Sequence, residues 1–259
     1  MSLPVIVVAA VLGLVAGAYA RAFATGFDTQ PEARGGVAPG GRPAEAEPGP
    51  HSEAWDESQE GTRGGVEPGG RRAEVVRAFA SAVRAAPLPR PPYLLEGVTA
   101  LAAALAAWRV HDGWVLAAWS YAVVAGAALA EIDRRTWRLP DAITLPSYPI
   151  LVVLLAPSGR LLPALASGCA LGAVYAALWF IRPAGLGLGD VKLAGLIGLL
   201  TGALGTQSVI VAGMAGQVLG ALYAVGLLLA RRATRTTEFP FGPFMLAGAL
   251  VALCLTNGA

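Results

Sequence analysis

Asp190 is the acidic residue whose surroundings most strongly suggest chemistry. It follows two glycines, Gly187 and Gly189, and from residue 193 to residue 230 no side chain is charged. A carboxylate at the mouth of a membrane-embedded run is energetically costly, which favours a functional role. The alternative is structural, because an aspartate near a helix start can accept hydrogen bonds from the backbone and cap the helix. The rest of the chain must decide between the two.

Few other side chains can act together with Asp190. Residues 93–259 contain seven acidic side chains, and four of them cluster at predicted helix ends: Glu131, Asp133, Asp141 and Asp190. The two histidines are His51, in a linker, and His111, in a predicted turn on the other side of the membrane. Hydrolysis by a histidine-assisted serine or cysteine is therefore not favoured, and a pair of carboxylates remains.

Two aspartates held close together cannot both ionise cheaply, so one of them keeps a proton. The charged partner can then activate water while the protonated partner polarises a peptide carbonyl. Asp133 is the candidate partner for Asp190, and the alternative for it is a solvated ion cluster with Arg134 or Arg135. For Asp141, which follows a proline, the N-cap of the fourth helix is favoured over catalysis.

The composition of the chain is that of an integral membrane protein. Of its 259 residues, 55% are hydrophobic and 14% are charged, whereas about one quarter of the residues in a soluble domain are charged. The net charge of +2 is too small to indicate a nucleic-acid partner. Cys169 and Cys254 each stand alone in an apolar run, so neither a zinc site nor a structural disulfide is expected. We expect no metal and no organic cofactor.

Residues 1–23 are predicted to form the first transmembrane helix. No charged side chain precedes Arg21, and the small residues Gly13, Gly17 and Ala18 suit close helix packing. A secretory signal peptide is the alternative, because Ala18-Tyr-Ala20 resembles a cleavage site. That interpretation lacks a basic residue ahead of the apolar run, so a retained helix is favoured.

Residues 24–92 are rich in glycine, proline, arginine and glutamate and poor in large apolar residues. Such a composition cannot bury a core, so we expect a disordered cytoplasmic linker. Within it residues 34–45 recur as residues 63–74, at an offset of 29, but two copies do not make a solenoid. Residues 71–86 place apolar side chains at helical spacing, which indicates a basic amphipathic helix on the membrane or a marginal helix in solvent.

Residues 93–259 are predicted to form an all-α membrane domain of seven helices, which brings the total to about eight. The apolar segments are residues 94–108, 113–130, 143–156, 161–181, 193–230 and 239–256. Residues 193–230 are 38 uncharged residues, which as one helix would measure about 57 Å, nearly twice a bilayer core. We therefore expect two helices there, with a break near residues 202–208.

The distribution of basic residues predicts the orientation of these helices. With the N-terminus outside, 17 of the 19 lysines and arginines fall on the cytoplasmic side, and only Arg109 and Arg160 fall outside. Nine of the 17 lie in the first long loop, where this rule is weaker. The predicted topology puts Asp133 and Asp190 at the cytoplasmic ends of the third and sixth helices, on one face of the membrane.

Three separated segments together resemble the type IV prepilin peptidase family, the membrane aspartic peptidases with a Gly-x-Gly-Asp motif. The segments are Ile132-Asp133 followed by Leu139-Pro-Asp-Ala-Ile-Thr-Leu-Pro146, then Gly187-Leu-Gly-Asp-Val-Lys-Leu193, and last Phe239-Pro-Phe-Gly-Pro-Phe-Met-Leu-Ala-Gly248. Their order, spacing and membrane setting agree with the family over residues 94–255. Each motif alone is weak, and the ordered set is more specific.

The resemblance implies an aspartic endopeptidase that removes the short basic leader of type IV prepilins, pseudopilins or Flp-type pilins at the cytoplasmic face, in pilus assembly or protein secretion. The family's two catalytic aspartates match Asp133 and Asp190. The residues at supporting motif positions are Pro140, Asp141, Gly187, Gly189, Lys192, Gly242 and Pro243. The implied partners are a prepilin-like membrane protein and the lipid bilayer, with no nucleic acid.

The chain departs from the family between its first two helices. Many members also methylate the new N-terminus through paired C-x-x-C motifs there, whereas residues 24–92 contain no cysteine. We therefore expect peptidase activity without methyltransferase activity. Two other functions stay open. One is a transporter or assembly scaffold with intramembrane carboxylates, for which only Glu96 lies inside a predicted span, and the other is a presenilin-like protease that cuts within a helix.

Overall fold

The computed structural model describes residues 3–25, 76, 80, 93–181, 186–230 and 239–256. Eight α-helices run through these ranges, with one short 3-10 turn and no strand. The helices are α1 (Leu3–Thr25), α2 (Leu94–Arg109), α3 (Gly113–Thr136), α4 (Asp141–Leu155), α5 (Leu161–Ile181), α6 (Leu188–Gly202), α7 (Thr206–Leu229) and α8 (Gly242–Leu255). The predicted all-α membrane bundle is confirmed.

The eight helices differ in how far they can reach across a bilayer. Among the described residues, five are long and apolar enough to cross a membrane: α1, α3, α4 together with the turn after it, α5 and α7. Helices α2, α6 and α8 have 16, 15 and 14 residues. A helix of 15 residues is roughly 22 Å long, against ~30 Å for the hydrocarbon core. The predicted number of helices is confirmed, whereas three of them are shorter than complete spans.

The long uncharged run divides where it was expected to divide. Helix α6 ends at Gly202 and α7 begins at Thr206, inside the predicted break at residues 202–208. Gly205 has a φ of 125°, a backbone conformation that side chains with a Cβ rarely adopt. This glycine lets the chain reverse within three residues, so α6 and α7 lie antiparallel.

Helix α3 continues to Thr136, beyond the end predicted for it at residue 130. Glu131 and Asp133 therefore lie inside its last two turns rather than after them. The helix ends at Trp137, which has a left-handed φ of 57° and donates its N–H to the carbonyl oxygen of Asp133 at 2.8 Å. Because few non-glycine residues take this conformation, Trp137 marks a sharply defined end to the helix that carries Asp133.

Several predictions about the chain fall outside the described residues. These are the duplication and nearly all of the disordered linker predicted at residues 24–92, nearly all of the amphipathic segment at residues 71–86, and the basic residues at positions 182, 231, 232 and 235. Residues 24 and 25 belong to α1 instead of the linker. The division of the chain into a first helix, a linker and a membrane domain stays a prediction.

Helix α1 packs tightly against α2, as its small residues predicted. A Cβ atom on Gly13 would lie 2.7 Å from the carbonyl oxygen of Thr99, and one on Gly17 would lie 2.8 Å from the Cα of Glu96. The two helices are also joined by an ion pair between Arg21 and Glu96, whose residue is 1% exposed. Glu96 thus lies in the first turn of α2 with a cationic partner.

Two arginine side chains bind backbone carbonyl groups at the C-terminal ends of α6 and α8. The guanidinium of Arg160 donates to the carbonyl oxygen of Ala203, just after α6, at 3.1 Å. The guanidinium of Arg109 donates to the carbonyl oxygen of Thr256, just after α8. These contacts place both arginines at the end of the bundle where α6 and α8 finish, away from the first turns of those helices.

Candidate active site

Asp133 lies in the last turn of α3, and it is 5% exposed. Its Oδ2 atom accepts a hydrogen bond from the backbone N–H of Gly242, the first residue of α8, at 3.0 Å. A Cβ atom at position 242 would lie 2.8 Å from the same oxygen, so only glycine allows this approach. The positive end of the α8 dipole therefore meets the carboxyl group of Asp133.

The ion cluster considered for Asp133 forms around a different residue. Arg134 and Arg135 both pair with Glu131, with nitrogen–oxygen distances of 2.8 and 2.7 Å, and Glu131 is 7% exposed. In the part of the chain that the structure describes, the hydrogen bond of the Asp133 carboxyl group goes to Gly242 instead. Glu131 therefore neutralises the basic end of α3 while Asp133 faces α8.

Asp190 is the third residue of α6, so it lies in the first turn of that helix. Its Oδ2 atom accepts a hydrogen bond from the N–H of Gly187 at 3.1 Å, and its own N–H donates to the carbonyl oxygen of Gly187 at the same distance. The capping explanation for this carboxylate is therefore correct as far as one oxygen is concerned. It leaves the second oxygen for other partners.

Glycine at position 189 brings the first turn of α6 against the segment that connects α3 to α4. A Cβ atom on Gly189 would lie 2.9 Å from the Cβ of Leu139. Asp190 is thereby held beside the end of α3, within range of an electrostatic interaction with the Asp133 carboxyl group. The structure thus brings together the two aspartates that the sequence singled out.

Asp141 and Lys192 form an ion pair beside these aspartates. The Lys192 Nζ atom lies 2.6 Å from Asp141 Oδ1, and each side chain is about one third exposed. The predicted N-cap role of Asp141 is wrong, because Pro140 occupies the cap position and Asp141 is the first residue of α4.

A scan against protein-family models matches residues 119–225 to the type IV leader peptidase family. These residues are similar to that family, and they are less than half of the chain. The match includes Asp133, Asp141, Asp190 and Lys192, whereas Gly242 and Pro243 lie beyond it. Searches of curated proteins and of solved structures found no match. The family match supports leader peptidase as the general activity of this membrane protein.

A second contact between α4 and α6 was not anticipated from the sequence. The hydroxyl of Tyr148 donates to the carbonyl oxygen of Lys192 at 2.8 Å. Tyr148 is seven residues after Asp141, which is two helical turns, so both side chains lie on the face of α4 that meets α6. That spacing was the available signal. The two contacts hold α6 immediately after Asp190.

The ion pair between Asp141 and Lys192 leads to a prediction about the rate of leader removal. We expect Lys192→Met and Asp141→Asn each to lower the rate of leader removal about tenfold, and the double variant to be no slower than either single variant. The reason is that the two side chains position α6 as one unit. Thermal stability should change little, since both side chains are partly exposed. Rates of the four proteins in a double-mutant cycle provide the measurement, and independent, multiplying losses would contradict it.

An apolar cavity of about 220 Å³ lies next to α3 and α6, the helices that carry the two aspartates. Side chains of α2, α3, α4, α6 and α8 line it, among them Trp119, Gly126 and Leu246. Pro243 also lines it, directly after the Gly242 that binds Asp133. The supporting residues Gly242 and Pro243 therefore connect two features, the hydrogen bond to an aspartate and an apolar space within the bundle.

Proposed function

We propose that this protein is an aspartic endopeptidase that removes the basic leader of type IV prepilin-like substrates, with Asp133 and Asp190 as its catalytic pair. The observation that carries the proposal is the convergence of these two side chains, from α3 and α6, inside the segment that matches the leader peptidase family. In this region of the described structure the neighbouring Glu131 and Asp141 form ion pairs with arginine and lysine side chains. Asp133 and Asp190 hydrogen-bond to backbone N–H groups instead.

In the proposed reaction one aspartate is ionised and takes a proton from water, whose oxygen attacks the carbonyl carbon of the scissile peptide bond. The other aspartate is protonated and polarises the carbonyl oxygen. The carbon–nitrogen bond then breaks, the amine leaves with a proton, and the leader ends in a new carboxylate. Gly242 and Gly187 each bind one oxygen of an aspartate, which leaves the other oxygen for water and substrate.

We propose further that the N-terminus lies outside the cell membrane and that the aspartates face the cytoplasm. The bias of 17 basic residues of 19 towards one side supports this orientation. The contacts of Arg109 and Arg160 are consistent with it, because both lie at the end of the bundle opposite to Asp190 and Gly242. Labelling of single cysteines introduced into residues 24–92 tests this orientation. Labelling by a reagent added outside the cell would show that the orientation is the reverse.

The proposed substrate is a membrane-anchored pilin, pseudopilin or Flp-type pilin, whose processing belongs to pilus assembly or protein secretion. The apolar cavity next to Gly242 supports a substrate that carries an apolar segment. We propose that the protein does not methylate the new N-terminus, because residues 24–92 contain no cysteine pair like that of the family members that do. Transfer of a labelled methyl group to the cleaved product would overturn this part.

The transporter alternative gains no support from the acidic residue it depended on. Glu96 lies in the first turn of α2 and pairs with Arg21, so it does not stand at the middle of a span. The presenilin-like alternative uses the same aspartates and differs in where the substrate is cut. The position of the cut in the product therefore separates it from leader removal.

Co-expression with a prepilin-like substrate tests the proposal. We expect the substrate to lose its leader, with a single cut between the basic leader and the apolar segment, as measured from the mass of the mature product. Co-expression of the substrate alone is the control. An unprocessed substrate in the presence of membrane-inserted protein, for each of the three pilin classes, would contradict the proposal, and a cut inside the apolar segment would favour the presenilin-like alternative.

A further inference from the structure

Tyr175 is a buried polar residue that the chemistry described so far does not use. It lies on α5, it is 2% exposed, and it packs within the main hydrophobic cluster. A tyrosine hydroxyl in such a place needs a hydrogen-bond partner. The side chain of Gln217 on α7 is near enough to be that partner. The pair joins α5 and α7, both of which pack against α6.

The packing of α5 against α6 sets the level of Tyr175. The two helices run antiparallel, and glycines bring their backbones into contact: a Cβ atom on Gly198 would lie 2.9 Å from the Cα of Gly168, and one on Gly172 would lie 3.5 Å from the Cα of Gly195. From the first contact to the second, the position on α5 advances from residue 168 to residue 172, while the position on α6 goes back from residue 198 to residue 195. One further turn brings Tyr175 opposite the first turn of α6, which contains Asp190.

The packing of α5 against α7 gives the same level independently. These helices run parallel, and a Cβ atom on Gly213 would lie 3.0 Å from the Cδ1 of Leu171. Four residues later on both helices are Tyr175 and Gln217, which lie one turn above that contact. The charge of Asp190 in turn acts on the Tyr175 hydroxyl. Tyr175 of α5 and Gln217 of α7 therefore lie at the same height in the bundle as Asp190 of α6.

We propose that Tyr175 is a positioning residue for Asp190 and that Gln217 holds its hydroxyl in place. In this arrangement an amide N–H of Gln217 donates to the tyrosine oxygen, which directs the tyrosine O–H towards the Asp190 carboxyl group or a water bound to it. The hydroxyl stabilises the ionised carboxylate and fixes its orientation. The inference rests on the proposed function of Asp190, since it assigns a role in the same site.

Tyr175→Phe is the variant that tests this role, because it removes one oxygen and keeps the packed ring. The matched control is Ser208→Ala, which removes a buried hydroxyl that pairs with Thr256 at 2.7 Å, at the other end of the bundle. Gln217→Leu is a second variant that keeps Tyr175 but releases its hydroxyl. All three would be compared with the wild type as purified full-length protein, by initial rates of leader removal from a prepilin-like substrate between pH 5 and pH 9 and by melting temperature.

We expect Tyr175→Phe to lower kcat about tenfold with KM nearly unchanged, as for the loss of one hydrogen bond to a charged group. The acidic limb of its pH profile should move to higher pH, because a carboxylate that loses a donor is harder to ionise. Gln217→Leu should show the same changes in smaller measure. Ser208→Ala should keep the wild-type pH profile.

Three results would overturn the inference. They are a pH profile of Tyr175→Phe equal to that of the wild type, a loss of rate matched by Ser208→Ala, and a loss explained by a lower melting temperature with Gln217→Leu unaffected. Failure of the proposed function looks different, since the wild type itself would then leave the prepilin-like substrate intact. A wild type that cleaves beside an unaffected Tyr175→Phe would sink the inference alone.

Discussion

Replacing either Asp133 or Asp190 with asparagine is expected to lower the rate of leader removal by about a thousandfold or more. Each substitution keeps the size of the side chain and its ability to accept the backbone hydrogen bond from Gly242 or Gly187. It removes the group that exchanges a proton with water or with the peptide carbonyl. Because the two carboxyl groups act as a unit, the double variant should be hardly slower than either single variant. Initial rates with purified protein provide the measurement.

Asp112→Asn is the matched control for these two substitutions. Asp112 caps the opposite end of α3, where its Oδ1 accepts the N–H groups of Trp114 and Val115, each at 2.9 Å. Asparagine caps a helix about as well as aspartate does, so both fold and rate should stay near the wild type. Equal losses in the control and in Asp133→Asn would indicate that any change of charge on α3 is harmful, and the assignment would fail.

The second large effect is expected at Gly242, which has no side chain that could take part in the reaction. In Gly242→Ala the added Cβ atom would meet Asp133 Oδ2 at 2.8 Å, so the carboxyl group or the start of α8 must move. A displacement of about 1 Å at a catalytic group can lower a rate about a hundredfold. We therefore expect a loss of that order in kcat, with a far smaller change in melting temperature.

Gly226→Ala tests whether such a loss is specific to position 242. A Cβ atom at Gly226, in α7, would meet nothing within 4 Å. Alanine in a helix interior is favoured over glycine, so this control should be as stable as the wild type or slightly more stable. If Gly242→Ala keeps the wild-type rate, the hydrogen bond from α8 does not set the position of Asp133.

The architecture of this chain was largely predictable because membrane helices have a strong sequence signal. The length of the uncharged run between residues 193 and 230 exceeds what one helix can place in a bilayer, and the break at Gly202 followed from that length alone. The close packing of α1 followed from its small residues in the same way. The lengths of individual helices were predicted less well, because α3 continues to Thr136 and three helices are too short to cross a bilayer.

The contacts of the candidate site were only partly predictable, because most of them join distant parts of the chain. Motif order brought Asp133 and Asp190 into one hypothesis, and the structure brings them together. The local sequence around Asp141 predicted a helix cap, because its true partner, Lys192, lies on another helix. Likewise nothing near Gly242 revealed that its N–H would bind Asp133. Long-range partners of this kind depend on which helices meet, and composition does not specify that.

Asp190 at the start of α6 is the centre of the account, and one experiment tests it most directly. Purified wild-type protein and Asp190→Asn would each be incubated with the same prepilin-like substrate, and the masses of all products would be recorded. The account predicts that the wild type releases an intact leader and a mature chain whose masses sum to the substrate plus one water, while Asp190→Asn releases neither. Leader release by Asp190→Asn at the wild-type rate would contradict it.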